Sequence, residues 1–204
     1  GLLHLPPGLQ ELREARTARQ FQLPKPAWPG KPVRDSRALF IQNSAQIACI
    51  RDGRVAWIRR APLPAEWEER GTMTPFPIPH RPVLTDKLVI GRFVTRNGAH
   101  VVAFSRDHGQ IVWSSRPEHA YPISDPVLWR NFCITLGFSH GGNEPEGVAL
   151  LGVDVETGEV RWQLPVSYGS GKLDRMGIPR SRGHYDAFSV AQAPPPVLVG
   201  DHLY

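Results

Sequence analysis

The chain has 204 residues, of which 41% are hydrophobic, and 24 basic against 19 acidic residues give it a formal net charge of +5. The basic residues are scattered, with no run of five, which argues against a nucleic-acid-binding protein because such proteins concentrate positive charge in a stripe beside stacking aromatics. No apolar stretch approaches the roughly 18 residues of a membrane-spanning helix.

The first 31 residues differ in character from the rest of the chain. Residues 8–21 contain good helix formers with apolar positions at helical spacing, preceded by Pro6 and Pro7, so they predict a short helix. The proline-rich stretch 23–32 cannot form regular structure and predicts a stiff linker. We therefore treat 1–31 as a segment separate from 32–204.

A short motif then recurs along the chain. The tripeptide Pro-Val-Leu occurs at 82–84, 126–128 and 196–198, and a shortened copy begins at Pro32. Further apolar runs follow the copies, with glycine and proline turn signals between them. Each repeat unit thus predicts four short strands, which is the pattern of a propeller blade.

Each of the first three units closes on the same five-residue pattern, Gly-x-x-x-Trp, directly after an apolar run. The copies occupy residues 53–57, 109–113 and 158–162. Glycine provides the positive φ of a tight turn, and tryptophan lies four residues on, in the returning strand. A recurrence of this kind indicates a repeat architecture.

These residues resemble the repeats of pyrroloquinoline-quinone-type (PQQ-like) β-propellers, which close on Ala-x-Asp-x-x-Thr-Gly-x-x-x-Trp, the tryptophan-docking motif. The second unit has the family spacing but carries Ser105 and His108 in place of Asp and Thr, and the first unit is one residue short. By this resemblance the motif residues are Ala48, Gly53 and Trp57; Ala103, Gly109 and Trp113; and Gly152, Asp154, Thr157, Gly158 and Trp162.

The resemblance covers roughly residues 32–204 and implies an all-β fold, an arc of about three four-stranded antiparallel blades plus the first strand of another. The blades are expected at about 32–60, 82–116 and 126–165, with the next beginning near 196. Three blades cannot close a ring, since propellers have four to eight. We expect the chain to be a piece of a longer propeller; the alternative is a complete but open or oligomerising piece.

If the strands of a blade are named A to D, the A–B and C–D turns lie on one face of the disc, and the B–C and D–A loops lie on the other, here called the loop face. The long loops, at roughly 58–81, 114–125, 139–147 and 163–195, all fall on the loop face. Clustered insertions are typical of a binding face. The candidate binding residues on these loops are His119, His140, Asn143, Glu144, Arg180, Arg182, His184 and Tyr185.

The sequence shows no catalytic motif and no metal-binding spacing. The two cysteines, Cys49 and Cys133, lie within apolar runs and are expected to be buried free thiols. The stretch Gly169-Ser-Gly-Lys172 lacks the interval and the strand–helix context of a phosphate-binding loop.

Two functions follow from the resemblance. The first is a non-catalytic binding or scaffold module that has no cofactor and contacts a protein partner or the remaining blades of the same propeller. The alternative is a fragment of a quinone-dependent alcohol or sugar dehydrogenase, which would use PQQ with calcium. The resemblance implies a periplasmic or extracellular location in either case.

Overall fold

The computed structural model describes residues 32–43, 46–60, 79–95, 98–115, 120–139, 147–168, 194–200 and 202–203, and these residues form strands and turns with no helix. The predicted helix and linker of segment 1–31 lie outside the described residues. The predicted fold class, an all-β arc of antiparallel blades, is confirmed.

Three blades follow one another along the chain, and within each the four strands pair in sequence order. Blade 1 contains β1 (Val33–Arg34), β2 (Leu39–Asn43), β3 (Gln46–Arg51) and β4 (Arg54–Arg60), and is followed by a short strand β5 (Pro79–His80). Blade 2 contains β6 (Val83–Leu84), β7 (Leu88–Thr95), β8 (Gly98–Ser105) and β9 (Ile111–Ser115), and is followed by β10 (Ala120–Pro122). Blade 3 contains β11 (Val127–Trp129), β12 (Phe132–Ser139), β13 (Gly147–Asp154) and β14 (Val160–Tyr168).

The strands β5 and β10 correct the prediction that 58–81 and 114–125 are entirely loop. The inner strand of blade 1 is so short that it pairs only with Leu39 and Phe40 of β2, and β5 pairs with the remaining end of β2 at Gln42 and Asn43. In blade 3, β10 extends the pairing of β12 in the same way. The segments that lead into the inner strands are thereby tied to the sheets instead of running free.

After blade 3, the structure shows more than the single strand predicted near 196. The strand β15 (Leu198–Val199) pairs with β16 (His202–Leu203) in a two-residue hairpin whose turn begins at Gly200, which has a φ of +58°. A hairpin is the expected start of a further blade, since strands A and B of a blade are adjacent.

The hydrophobic core lies between blades, because alternate residues of each strand face opposite sides of the sheet. Phe40 and Trp57 of blade 1 pack on Val89 and Phe104 of blade 2, and the Trp57 and Phe104 rings stack with centroids 6.4 Å apart. Blades 2 and 3 repeat this packing with a second cluster: Ile90, Val101, Ala103, Trp113, Cys133 and Val153.

Candidate functional site

The three motif tryptophans occupy equivalent positions in the outer strands. Each lies opposite a small residue of strand C, immediately before a register shift in the C–D pairing. The opposite residues are Cys49 for Trp57, Ala103 for Trp113 and Gly152 for Trp162.

Blade 1 therefore departs from the predicted motif at one position. Cys49, and not Ala48, faces Trp57, while Ala48 pairs with Ile58 and belongs to a different core cluster on the opposite face of the blade. The cause is the shorter C–D turn of blade 1, in which Asp52 and Gly53, at φ +49° and +74°, form a two-residue hairpin. This turn is two residues shorter than those of blades 2 and 3, so the residue opposite the tryptophan lies four positions before the glycine instead of six.

Trp57 docks on the C–D turn of blade 2. Its ring lies over Gly109, where a Cβ atom would come within 2.5 Å of Trp57 Cδ2, and its Nε1–H donates to the Arg106 carbonyl at 3.0 Å. Gly109 has a φ of +65°, which L side chains rarely adopt. The turn thus presents both a flat surface and an acceptor to the preceding blade.

Trp113 docks on blade 3 with the same geometry. Its ring lies over Gly158, at φ +76°, and its Nε1–H donates to the Val155 carbonyl at 2.8 Å. Both docked tryptophans are almost fully buried, since their exposed fractions are 6% for Trp57 and 8% for Trp113. Trp162, in the last of the three blades, is only half-buried.

The turn of blade 3 is stabilised by its own motif residues. Asp154 Oδ1 accepts hydrogen bonds from the backbone N–H groups of Glu156 (3.0 Å) and Thr157 (2.9 Å) and from the Thr157 hydroxyl (3.2 Å). These bonds, the Thr157 backbone bond foremost, hold the pKa of Asp154 below its usual value, with Arg161 contributing. Asp154 and Thr157 therefore support the docking surface.

The turn of blade 2 lacks those residues and is held from blade 1 instead. Ser105 Oγ is 3.4 Å from the His108 N–H, a weak contact compared with those of Asp154. Arg59 donates to the carbonyls of His108 and Gly109, both at 2.8 Å. Arg51 donates to the Arg106 carbonyl at 2.8 Å. Arginines of the neighbouring blade thus hold this turn through its carbonyl groups, whereas Asp154 holds the turn of blade 3 through its N–H groups.

The different support of the two turns leads to a prediction about the energetic coupling between Arg59 and position 105. Arg59→Ala is expected to lower the free energy of unfolding by about 1–2 kcal/mol, because two charge-assisted hydrogen bonds are lost. In a Ser105→Asp background, which restores the cap, the same change should cost less than half as much. Urea denaturation of the four proteins measures the coupling, with Arg54→Ala as a control at an exposed strand end. If Arg59→Ala lowered the free energy of unfolding equally in both backgrounds, the coupling would be contradicted.

All eight candidate binding residues lie outside the described residues: His119, His140, Asn143, Glu144, Arg180, Arg182, His184 and Tyr185. The structure therefore does not describe their arrangement. At the loop-face end of the blades the structure shows a group of buried polar groups, here called the polar junction. It is defined by the side chains of Gln42, His80, Arg92 and Asp125 and by the carbonyl of Pro122.

One chain of hydrogen bonds in the polar junction runs across all three blades. Gln42 Nε2 of blade 1 donates to the Arg92 carbonyl of blade 2 at 2.5 Å, and Arg92 Nε donates to the Pro122 carbonyl beside blade 3 at 2.7 Å. Gln42 and Arg92 are both 0% exposed. Gly91 makes room for Gln42, whose amide oxygen a Cβ at that position would contact.

A second contact joins the strand β5 to the segment before β11. His80 Nδ1 lies 2.6 Å from Asp125 Oδ1, and Asp125 Oδ2 accepts the backbone N–H of Arg81 at 3.0 Å. His80 is 1% exposed and Asp125 is 9% exposed. Since the carboxylate can only accept at Nδ1, the imidazole proton resides there and Nε2 carries a lone pair when the ring is neutral.

Burial dominates the electrostatics of the polar junction. It lowers the pKa of His80 below the ordinary value of 6.5; the hydrogen bond to Asp125 opposes this, and the charge of Arg92 adds to it. Burial also lowers the pKa of Arg92, to about 10, against the attraction of Asp125. At neutral pH the polar junction therefore contains a cationic Arg92 and a neutral His80.

The predicted loops 58–81 and 114–125 contain His80 and Asp125, but neither residue was among the candidate binding residues, nor were Gln42 and Arg92. A signal was available, because each of the two Pro-Val-Leu copies that lead into blades 2 and 3 is preceded by two polar residues, His80-Arg81 and Ser124-Asp125. Ser124, the first of the two residues before blade 3, is buried, as His80 is before blade 2. Its Oγ accepts the Leu136 N–H at 2.8 Å. The two residues before each tripeptide thus tie the entering segment to the sheets.

The described residues offer little reactive chemistry outside the polar junction. They contain no group of three or more His, Cys, Asp or Glu side chains that could hold a metal ion. Cys49 and Cys133 are buried free thiols, as expected, and burial raises the pKa of both, that of Cys133 to about 12. Neither thiol is therefore a nucleophile at neutral pH.

Comparisons with known proteins give a family match and resemblances to solved structures. A family model described as outer membrane protein assembly factor BamB matches residues 14–182. Solved structures that resemble the chain include BamB from Moraxella catarrhalis, with 15% identity, a TM-score of 0.45 and coverage of 67% of this chain and 35% of that one. A europium-containing methanol dehydrogenase gives 12% identity, a TM-score of 0.47 and coverage of 71% of this chain and 27% of that one.

The chain spans about a third of the length of these structures. No curated protein sequence matches it significantly. The family model, however, covers well over half of the chain, and its range includes every strand from β1 to β14. The chain belongs to the family of PQQ-like β-propeller repeats that is described as outer membrane protein assembly factor BamB.

Proposed function

We propose that the chain is a non-catalytic scaffold module that binds a protein partner through the loop face. The family description as an assembly factor supports a role in protein contacts. On the same basis we propose a periplasmic or extracellular location. Among the residues that the structure describes, none belongs to a helix long and apolar enough to cross a bilayer.

The observation that carries this proposal is the closure of the polar junction beneath the loop face. A general base must come within hydrogen-bond reach of its substrate. His80, however, is 1% exposed, and its Nδ1 is already bonded to Asp125. The polar groups at this end of the blades therefore brace the segments from which the loops arise and do not face an open site.

The described residues of the polar junction also do not fit a quinone–calcium site. Calcium takes six to eight oxygen ligands in a protein. Asp125, the carboxylate of the polar junction, uses one oxygen for His80 and the other for the Arg81 N–H. We accordingly propose a module without a cofactor, and the dehydrogenase fragment remains the alternative that a quinone titration distinguishes.

The proposal is tested by photo-crosslinking from the two faces of the disc. A photoreactive amino acid is introduced at His119, His140 or His184, in the loops that the sequence predicts for the loop face. Matched controls carry it on the opposite face at the exposed residues Asp86, Asp107 or Glu156. In cells with an outer membrane, the loop-face positions are expected to crosslink to a component of outer-membrane protein assembly. Equal crosslinking from both faces, or crosslinking from the opposite face alone, would contradict a binding role for the loop face.

A further inference from the structure

The contact between His80 and Asp125 joins two parts of the fold that are otherwise held by separate sheets. His80 lies on β5, which pairs with β2 of blade 1, whereas Asp125 precedes β11 of blade 3. The carboxylate holds the β5 segment at two points, the imidazole at 2.6 Å and the Arg81 N–H at 3.0 Å. Loss of this contact would leave residues 80 and 81 without their tie to blade 3.

We propose that His80 and Asp125 form an acid-sensitive latch, which fastens the β5 segment to blade 3 while the imidazole is neutral and releases it when the imidazole is protonated. The latch is independent of the scaffold function proposed above. It depends only on the position of one imidazole between a carboxylate, a buried arginine and a closed protein interior.

The surroundings of His80 oppose a second proton on the ring. Its Nε2 is buried and has no hydrogen-bond partner among the described residues. Protonation would place an N–H donor in that position, and an unsatisfied buried donor is destabilising. Gln42, which pairs with His80 across β2 and β5, donates its amide N–H to the Arg92 carbonyl. Its oxygen is packed against Gly91 and, like His80 Nε2, has no hydrogen-bond partner among the described residues.

The charged groups around His80 act in opposite directions. Asp125 favours the imidazolium through its hydrogen bond and its charge, while Arg92 on β7 disfavours it, and burial disfavours it most strongly. Arg81, on the same segment as His80, is exposed and projects its charge into solvent. Burial together with Arg92 outweighs Asp125, so the direction of the shift is toward the neutral ring.

The sign of the pH dependence follows from linkage. The pKa of His80 in the folded protein lies below the ordinary value of 6.5, so the unfolded chain binds this proton first as the pH falls. The stability contributed by the latch is therefore complete above about pH 6.5 and is lost as the pH falls toward the pKa of the folded state. Within the folded protein, protonation of His80 likewise favours the open latch over the closed one.

The test is the amide hydrogen exchange of Arg81, whose N–H donates directly to Asp125. In the unmodified 204-residue chain, the protection factor of this amide is expected to fall between about pH 7.5 and about pH 5. The fall is up to tenfold for each unit by which the pKa of His80 in the closed latch lies below its pKa in the open latch. The segment of Leu136, whose N–H is bonded to Ser124, provides an internal reference.

A variant separates titration from structure. His80→Asn retains a neutral donor near the position of Nδ1 but cannot be protonated, so its Arg81 amide should keep the same protection across this pH range. His108→Asn, at an exposed imidazole, should leave the loss of protection in acid unchanged. Constant protection in the unmodified chain would overturn the latch, as would a rise in acid, which would mean that the protonated ring finds Gln42 as an acceptor.

Discussion

Gly109→Ala and Gly158→Ala are expected to lower the free energy of unfolding by about 2–5 kcal/mol each, because two effects add at these positions. The positive φ costs an L-residue about 1–2 kcal/mol. The new Cβ would also lie 2.5 Å from Trp57 at Gly109 and 2.6 Å from Trp113 at Gly158, and such overpacking costs about 1–3 kcal/mol. Because domains of this size are stable by about 5–15 kcal/mol, either change approaches unfolding.

Gly53→Ala is the matched control. Gly53 has a φ of +74°, but a Cβ added there would have no atom within 4 Å, so only the backbone effect of about 1–2 kcal/mol should remain. Urea denaturation, read at constant m-value, measures all three variants. If Gly53→Ala were as destabilising as the other two changes, the tryptophan rings would not dock on the turns of the following blade.

Trp57→Ala and Trp113→Ala are expected to be equally severe, at about 3–5 kcal/mol each, since each removes a buried aromatic side chain from an interface between blades. Trp162→Ala should cost clearly less, because that ring is half-buried and no described turn lies beneath it. Trp113→Phe should lose mainly the 2.8 Å hydrogen bond to Val155, worth about 0.5–1.5 kcal/mol. Thermal or urea unfolding checks the order; equal losses at Trp113 and Trp162 would contradict it.

The blades could be predicted from the sequence because their signals are local. The glycine of each C–D turn requires a positive φ, and the tryptophan follows at a fixed distance in the next strand, so spacing alone located Trp57, Trp113 and Trp162. Blade 1 shows the limit of spacing, because a turn two residues shorter than those of blades 2 and 3 places Cys49, and not Ala48, opposite the tryptophan. A register shift of that kind has no signal in composition.

The polar junction as a whole could not be predicted. Two polar residues precede each Pro-Val-Leu copy that leads into blades 2 and 3, but their partners come from segments far apart in the chain. Gln42, Arg92 and Asp125 meet only after three blades have stacked. The strand β5 was missed for a related reason: two residues have no detectable periodicity, and they pair with β2 only because β1 is too short to cover it. Their position is determined by tertiary packing and not by local propensity.

The claim that this chain is a binding module without a quinone cofactor is tested most directly by calorimetric titration with PQQ in the presence of calcium. We expect no saturable binding, because Asp125 is already bonded within a closed polar junction. Small-molecule sites normally bury most of their ligand, and three blades form only part of an enclosure. Saturable binding in the micromolar range, abolished by Asn143→Ala or Glu144→Ala, would contradict the claim and favour the dehydrogenase.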